Sequence, residues 1–324
     1  MNPKKLFPED FGEIYSDEAF AELCGKFPNY DSGYLCQATY GLRKKTKAWM
    51  ENLWQQYMIY ADSHFLEDFR RQFAQRSWEL YLGATFINRG FVLNSHNQEG
   101  PDFDVCDKDK KRIFWVEAIA VKKGDGIDRV PETVYNSVGT IPTDEIILRL
   151  ASGLQIKFKK YLLDRAKGII SDTDPYIIAI DRSELEHLDA MLPNILKAVF
   201  GIGELALRMR IGEEPTKDPE NFWTHKPTIK KQSGQSVSMH FFDIPEHAGI
   251  SAVIYNKDSI INSPRDPQEM GEGFFIVHNP LAKNPLQPGF LPFGEEYAVE
   301  GGFIKKIRGS KNFKKPNPFE YLDD

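Results

Sequence analysis

The feature that most constrains this chain is an apolar run, IFWVEAIAV at 113–121, that carries a glutamate, Glu117, at its centre. Its β-branched and aromatic residues favour a strand. Successive side chains of a strand point to opposite faces, and both faces of this run are apolar, so the sequence predicts a strand buried on both sides. An unpaired carboxylate in such a strand is strongly unfavourable. Glu117 therefore requires a partner, either a basic side chain or a metal ion.

Two other acids are candidates for the same site. Asp102 follows Gly100 and Pro101 at the start of a predicted strand, and Glu79 lies in a predicted helix. Carboxylate oxygens are the ligands that hard divalent cations such as Mg²⁺ prefer. Three structural interpretations stay open: Glu79 as an exposed helix residue, Asp102 as a turn-stabilising residue, and Glu117 as a salt-bridge partner.

The N-terminal part of the chain is predicted to be helical. Apolar residues at spacings of three and four indicate a helix over 46–75, where Gly and Pro do not occur. A second helix, or a continuation of the first, includes 77–82 and ends near Gly90, which suits a left-handed helix end.

Strands and helices alternate in the rest of the chain. Thr143 is expected to cap a helix over 143–167, with Asp144 and Glu145 in its first turn. From Asn279 onward the Pro- and Gly-rich sequence predicts irregular structure. The other predicted elements are strands at 91–93, 103–105, 113–121, 176–181, 251–255 and 274–278 and a helix near 183–200. This pattern indicates an α/β or α+β fold with a helical N-terminal region.

Composition and residue spacing argue against several classes of protein. The 324 residues are 41% hydrophobic and 27% charged, with a net charge of −6, which argues against a protein that coats nucleic acid through bulk charge. No apolar run is long enough to span a membrane, and the N-terminus has no apolar segment typical of a secretory signal. The three cysteines have no metal-ligand spacing, and four histidines (His225, His240, His247 and His278) have no zinc-site spacing. A cytoplasmic location is expected.

The segments GPDFDV and FWVEAIAV, with their two acids, resemble the PD-(D/E)xK nuclease superfamily. The resemblance implies a restriction-endonuclease-like mixed sheet flanked by helices, with an α-β-β-β-α-β core over 76–181. The helical region over 1–75 precedes this core, and 182–324 would complete the same domain as an extended C-terminal elaboration.

The same resemblance implies a nuclease that uses Mg²⁺ or Mn²⁺ to hydrolyse phosphodiester bonds. Asp102 and Glu117 correspond to the metal-binding acids, and Glu79 corresponds to an additional acid that some members supply from the first core helix. The carbonyl of Ala118 would be a further ligand. The implied partner is nucleic acid, with DNA favoured over RNA. A homo-oligomer is a further option.

The chain departs from the family pattern at Ile119, where a lysine is expected two residues after the acid. Some members relocate this lysine to the following helix, and Lys157 lies on the apolar stripe of the predicted helix, whereas Lys159 points elsewhere. Lys157 could instead cover apolar surface with its stem. Weaker candidates for the missing role are Gln155, Lys122 and Lys123.

Phosphate contacts are expected from Lys122, Lys123, Arg129 and the tail near Lys305. The loop over 122–132 is either a substrate-contacting lid or a plain connector. Basic clusters at 43–47, 108–112 and 305–315 are either phosphate-binding or solvated surface. Two alternatives to a nuclease stay open, namely a catalytically inactive nucleic-acid-binding or regulatory module, which Ile119 favours, and a protein unrelated to nucleic acid.

Overall fold

The computed structural model describes residues 4–94, 99–134, 139–187, 189, 192–208, 220–257 and 265–308. Its centre is an eight-stranded mixed sheet with helices on both faces. The helices are α1 (Asp17–Lys26), α2 (Ser32–Thr39), α3 (Lys44–Tyr57), α4 (Phe65–Arg71), α5 (Phe73–Asn88), α6 (Thr143–Ala166) and α7 (Asn194–Phe200).

The sheet has the strand order β1-β2-β3-β4-β9-β10-β11-β12, and two short hairpins, β5–β6 and β7–β8, lie outside it. The strands are β1 (Val92–Asn94), β2 (Phe103–Cys106), β3 (Arg112–Ala120), β4 (Tyr176–Asp181), β5 (Ile202–Arg208), β6 (Glu220–His225), β7 (Thr228–Lys230), β8 (Ser236–Ser238), β9 (Ala252–Asn256), β10 (Phe274–His278), β11 (Glu295–Glu300) and β12 (Phe303–Arg308).

Strand β3 carries Glu117 and is the strand on which the candidate site depends. It pairs antiparallel with β2 and parallel with β4, and α6 forms the crossover between β3 and β4. The β2–β3 ladder begins where Phe103 is opposite Val116. Beyond that pair, residues 117–120 of β3 have no strand on this side within the described residues; we call this segment the β3 open edge.

The prediction that 113–121 is buried on both faces is confirmed. Phe114, Val116 and Ala118 pack into a core formed with the N-terminal helices, and Trp115 packs on the opposite face into a core formed with α6 and α7. Glu117 shares the face of Trp115 and is 1% exposed. Each large apolar side chain buried in this way contributes about 1.5–3 kcal/mol of stability.

Other predicted elements agree closely with the structure. Strands β4 and β10 have the predicted bounds, and α6 ends at Ala166, one residue before the predicted end. Gly90 has φ +87° after the end of α5, as the left-handed helix end requires.

The predicted helix over 46–75 is wrong as a single element, because α3 ends at Tyr57 and α4 begins at Phe65. Asp62 interrupts the helix: its side chain accepts a hydrogen bond from the backbone N–H of His64 (2.8 Å), and its carbonyl accepts one from Phe65 (3.2 Å). Such local side-chain hydrogen bonds compete with helix formation.

Three further predictions are corrected. Thr143 is the first residue of α6 and not its cap, which is Pro142, although Asp144 and Glu145 lie in the first turn. The described residues of 183–200 form a 3₁₀ turn, Ser183–Leu185, and α7, which begins after Pro193, and not one continuous helix. A proline inside a helix would remove a hydrogen bond. The segment after Asn279 also contains β11 and β12.

In the described part of the chain, no helix combines the length and the apolar character that crossing a membrane requires.

Candidate active site

A cleft of about 660 Å³ lies between the N-terminal half of α5, the end of β3 and the middle of α6. The three acids singled out in the sequence, Glu79, Asp102 and Glu117, all line this cleft, together with Lys157 and Lys160. The fold brings the acids together because α5 packs over β3 and because Asp102 directly precedes the strand that pairs with β3.

Glu117 has two lysine partners. Lys157 Nζ lies 2.6 Å from Glu117 Oε1, and Lys160 Nζ lies 2.6 Å from Glu117 Oε2. The interpretation of Lys157 as a lysine that only covers apolar surface is therefore wrong, since its side chain is 14% exposed and its ammonium contacts the buried acid. A buried ion pair of this kind depends on good hydrogen-bond geometry, which both contacts have.

Lys160 lines the cleft and contacts Glu117, and it was not predicted from the sequence. Besides Glu117, its ammonium donates to the carbonyl of Gly100 (2.6 Å) and to Asp164 Oδ2 (3.2 Å). It thereby ties α6 to the turn that contains Asp102. A signal was present, because a residue three positions after Lys157 on a helix lies on the same face.

Asp102 contacts the β3 open edge. Its Oδ2 accepts a hydrogen bond from the backbone N–H of Ala118 at 2.7 Å. Gln75, from the first turn of α5, contacts the same edge: its Nε2 donates to the carbonyl of Ala118 (3.1 Å), and its Oε1 accepts from the N–H of Ala120 (2.8 Å). Asp102 thus lines the cleft and contacts β3, and Gln75 is a second lining residue that the sequence did not indicate.

Glu79 is 5% exposed, so the interpretation as an exposed helix glutamate is wrong. Gln75 Nε2 donates to its Oε1 and Arg76 Nη1 donates to its Oε2, both at 2.8 Å. Arg76 also contacts Asp62 (2.8 Å) and Asp68 (2.5 Å), so its single positive charge is shared among three carboxylates.

Burial is the main influence on the pKa of the acids in the cleft. Burial, followed by the charge of Asp102, raises the pKa of Glu117 to about 7, although Lys157 and Lys160 oppose the rise. Burial and the charge of Asp102 also raise the pKa of Glu79 to about 7, against the effect of Arg76. Additional positive charge in the cleft would therefore be stabilising.

The raised pKa of Glu79 predicts that this residue makes the free energy of unfolding depend on pH. A carboxyl whose pKa rises from 4.5 to about 7 on folding contributes stability below pH 4.5 that is lost as the pH rises through 7. The loss is on the order of 3 kcal/mol. We expect urea unfolding with a chelator present to show a shallower decline in the free energy of unfolding from pH 5 to pH 8 for Glu79→Gln than for the parent. Equal declines would contradict the raised pKa of Glu79.

The packing of Ile119 explains why a lysine from α6 is well placed. A Cβ on Gly153 would lie 2.9 Å from Val121 Cγ1 and 3.8 Å from Ile119 Cδ1, so α6 approaches β3 closely at this glycine. Ile119 packs against the core on the α6 side. Lys157 follows Gly153 by about one helical turn, which is the distance that brings its side chain over Glu117.

The predicted phosphate-contacting residues have different surroundings. Lys122 is exposed and lines the cleft. Lys123 contacts Glu132 and Glu186, and Arg129 contacts Glu132, so both have acidic partners already. The loop that contains them is fastened by Arg149, which donates to the carbonyl of Asp128 at 3.0 Å.

The remaining predicted candidates are Gln155 and the basic residues near the C-terminal end of the chain. Gln155 is half-buried on α6 and does not line the cleft. In the tail, Lys305 pairs with Glu300 (3.1 Å) and Lys306 with Glu295 (2.9 Å). The rest of the basic cluster over 305–315, from 309 onward, lies outside the described residues.

The cleft contains oxygen atoms of the types that a hard divalent cation takes, namely the carboxylates of Glu79, Asp102 and Glu117 and the carbonyl of Ala118. Each of these groups already accepts at least one hydrogen bond. Across the residues that the structure describes, no three His, Cys, Asp or Glu side chains stand together as a ready metal-binding group. Mg²⁺ is nevertheless commonly held by one or two carboxylates, with water and substrate phosphate completing the shell. The types of oxygen donor in the cleft are therefore those that Mg²⁺ or Mn²⁺ takes.

Comparisons of the chain with protein-family models, with curated proteins and with solved structures give no match.

Proposed function

We propose that this protein is a metal-dependent nuclease of the PD-(D/E)xK type, which hydrolyses phosphodiester bonds in nucleic acid. The observation that carries the proposal is the contact of Lys157, from α6, with Glu117, at the acid that the motif assigns to metal binding. Chain order supports it as well, because α5, β1, β2, β3, α6 and β4 follow one another as α-β-β-β-α-β.

Asp102, Glu117, Glu79 and the carbonyl of Ala118 would supply the oxygen ligands of the cation. When bound, Mg²⁺ or Mn²⁺ supplies Lewis acidity to the phosphate and lowers the pKa of a water molecule. Burial and the charge of Asp102 raise the pKa of Glu79 and Glu117, and a cation beside these carboxyls would favour their ionised forms.

Lys157 is the residue best suited to act on the phosphate or on the attacking water. An ammonium has three hydrogens, and within the described residues Lys157 uses one hydrogen bond, to Glu117 Oε1. Lys160 has three partners and is held between α6 and the Gly100 turn. We therefore assign positioning to Lys160 and phosphate or water contact to Lys157.

Incubation of the purified protein with supercoiled plasmid, single-stranded DNA and RNA tests the proposal directly. We expect cleavage of at least one substrate, DNA first, with Mg²⁺ or Mn²⁺ and no cleavage with EDTA. The absence of cleavage of all three substrates with either metal would contradict the nuclease assignment.

Metal binding can be measured without any substrate. A ligand that binds only the folded state at about 100 times its Kd stabilises that state by about 2.7 kcal/mol, which corresponds to a rise in Tm of about 4 °C for a chain of this size. We expect Mn²⁺ to raise the Tm of the parent by this amount and to leave the Tm of Glu117→Ala nearly unchanged. An equal rise in both proteins would show that Mn²⁺ binds elsewhere.

A second candidate function is an inactive module that binds nucleic acid. Two observations favour it. Ile119 replaces the expected lysine, and the ammonium groups of Lys157 and Lys160 contact the two oxygens of Glu117 and partly neutralise this acid without a metal. Plasmid binding in a gel-shift assay, with neither cleavage nor stabilisation by Mn²⁺, would select this function over the nuclease.

A further inference from the structure

We infer that Gln75 is a positioning residue of the cation site and that its amide sets the direction of the Ala118 carbonyl and the conformation of Glu79. The inference rests on the proposed function, because it concerns the same site. It assigns a role to a residue that is neither one of the acids nor one of the lysines.

The β3 open edge carries three backbone polar groups that no neighbouring strand pairs within the described residues. The backbone N–H and carbonyl of Ala118 and the N–H of Ala120 point to the side where β2 no longer pairs with β3. Buried backbone groups require hydrogen-bond partners. Asp102 takes one of the three groups, and Gln75 takes the other two.

The Gln75 amide matches the two backbone groups that it binds, the Ala118 carbonyl and the Ala120 N–H. The edge presents one acceptor and one donor to Gln75, and an amide offers both, as a neighbouring strand would. The remaining hydrogen of Gln75 Nε2 is donated to Glu79 Oε1 at 2.8 Å. All three hydrogen bonds of the amide therefore go to the strand that carries Ala118 or to Glu79.

The contacts of Gln75 bear on how the oxygen donors of a cation would be oriented. Glu79 and the Ala118 carbonyl are two of the oxygen donors of the cleft, and Gln75 holds both at once. Residues that orient metal ligands through hydrogen bonds typically change metal affinity or activity by about tenfold to hundredfold when they are replaced. Gln75 should therefore affect how tightly the cation binds and not the chemical step itself.

The test compares Gln75→Met with the parent and with Gln72→Met as the matched control. Methionine has a similar length and removes all three hydrogen bonds. Gln72 lines the same cleft about one turn earlier, is exposed, and makes no side-chain hydrogen bond within the described residues. The readouts are the Kd for Mn²⁺ from calorimetry and the dependence of cleavage on Mn²⁺ concentration.

We expect Gln75→Met to raise the Kd for Mn²⁺ about tenfold to hundredfold. The Mn²⁺ concentration for half-maximal cleavage should rise by the same factor, while kcat at saturating Mn²⁺ stays close to that of the parent. Gln72→Met should leave all three values unchanged. If Gln75→Met does not fold, Gln75→Asn, whose amide is drawn back by one methylene, should change the Kd in the same direction by a smaller factor.

An unchanged Kd in the folded Gln75 variant would overturn the inference, and so would a loss of cleavage that excess Mn²⁺ does not restore. Both results differ from a failure of the proposed function, which would appear in the parent. If the parent neither binds Mn²⁺ nor cleaves nucleic acid, the nuclease assignment is overturned and the role of Gln75 with it.

Discussion

Replacement of Glu117 by alanine is expected to lower the rate of metal-dependent cleavage by about 10³-fold or more, because it removes a buried metal ligand and the acid that holds Lys157. The folded state should survive. At pH 8 the parent keeps a desolvated carboxylate whose pKa is about 7, so its removal relieves a penalty that offsets part of the lost lysine contacts. Plasmid cleavage under single-turnover conditions and thermal unfolding together measure both effects.

The controls for this experiment separate charge, shape and general damage. Glu22→Ala removes an exposed carboxylate, whose side chain is 69% exposed and paired with Lys26, and should leave cleavage unchanged. Glu117→Gln keeps the volume of the side chain and should be nearly as inactive as Glu117→Ala. If both Glu117 variants retain activity and instead lose stability, Glu117 is a structural salt-bridge partner and the nuclease mechanism is wrong.

The core of the fold was predictable because its strands are buried on both faces. The runs that became β3 and β4 are apolar apart from Glu117 and Asp181, and such a run indicates a buried strand without further information. Strand β11 and the edge strand β12 were not predicted. Their sequences, EEYAVE and FIKKIR, carry several charges, which weaken the strand signal and in β12 protect the sheet edge.

The candidate site was predictable only in part, for a related reason. Glu117 and Lys157 are marked by charge inside an apolar pattern, and that contradiction is visible in local sequence. Lys160 is less marked because it lies at the margin of the apolar stripe and is partly exposed. Gln75 could not be found, since its role depends on the point at which β2 stops pairing with β3, and that point is a property of the assembled sheet.

The role of Lys157 leads to the second large effect. Lys157→Met keeps most of the apolar stem and removes the ammonium, and we expect it to reduce kcat by about 10²-fold or more, as the loss of a group that activates water or assists proton transfer does. Lys159→Met is the matched control, because Lys159 lies on the same helix and is exposed away from the cleft. Equal activity of the two variants would exclude Lys157 from the chemistry.

A lysine placed at position 119 should partly replace Lys157, because Ile119 lines the same cleft and follows Glu117 by two residues on the same face of β3. We expect Ile119→Lys combined with Lys157→Met to cleave at least about tenfold faster than Lys157→Met alone, which corresponds to about 1.4 kcal/mol of transition-state stabilisation. Ile119→Lys alone, with Lys157 present, should give no such gain, since the cleft then holds an additional cation near Lys157 and Lys160. Recovery only in the double variant would identify α6 as the source of a lysine that the strand lacks.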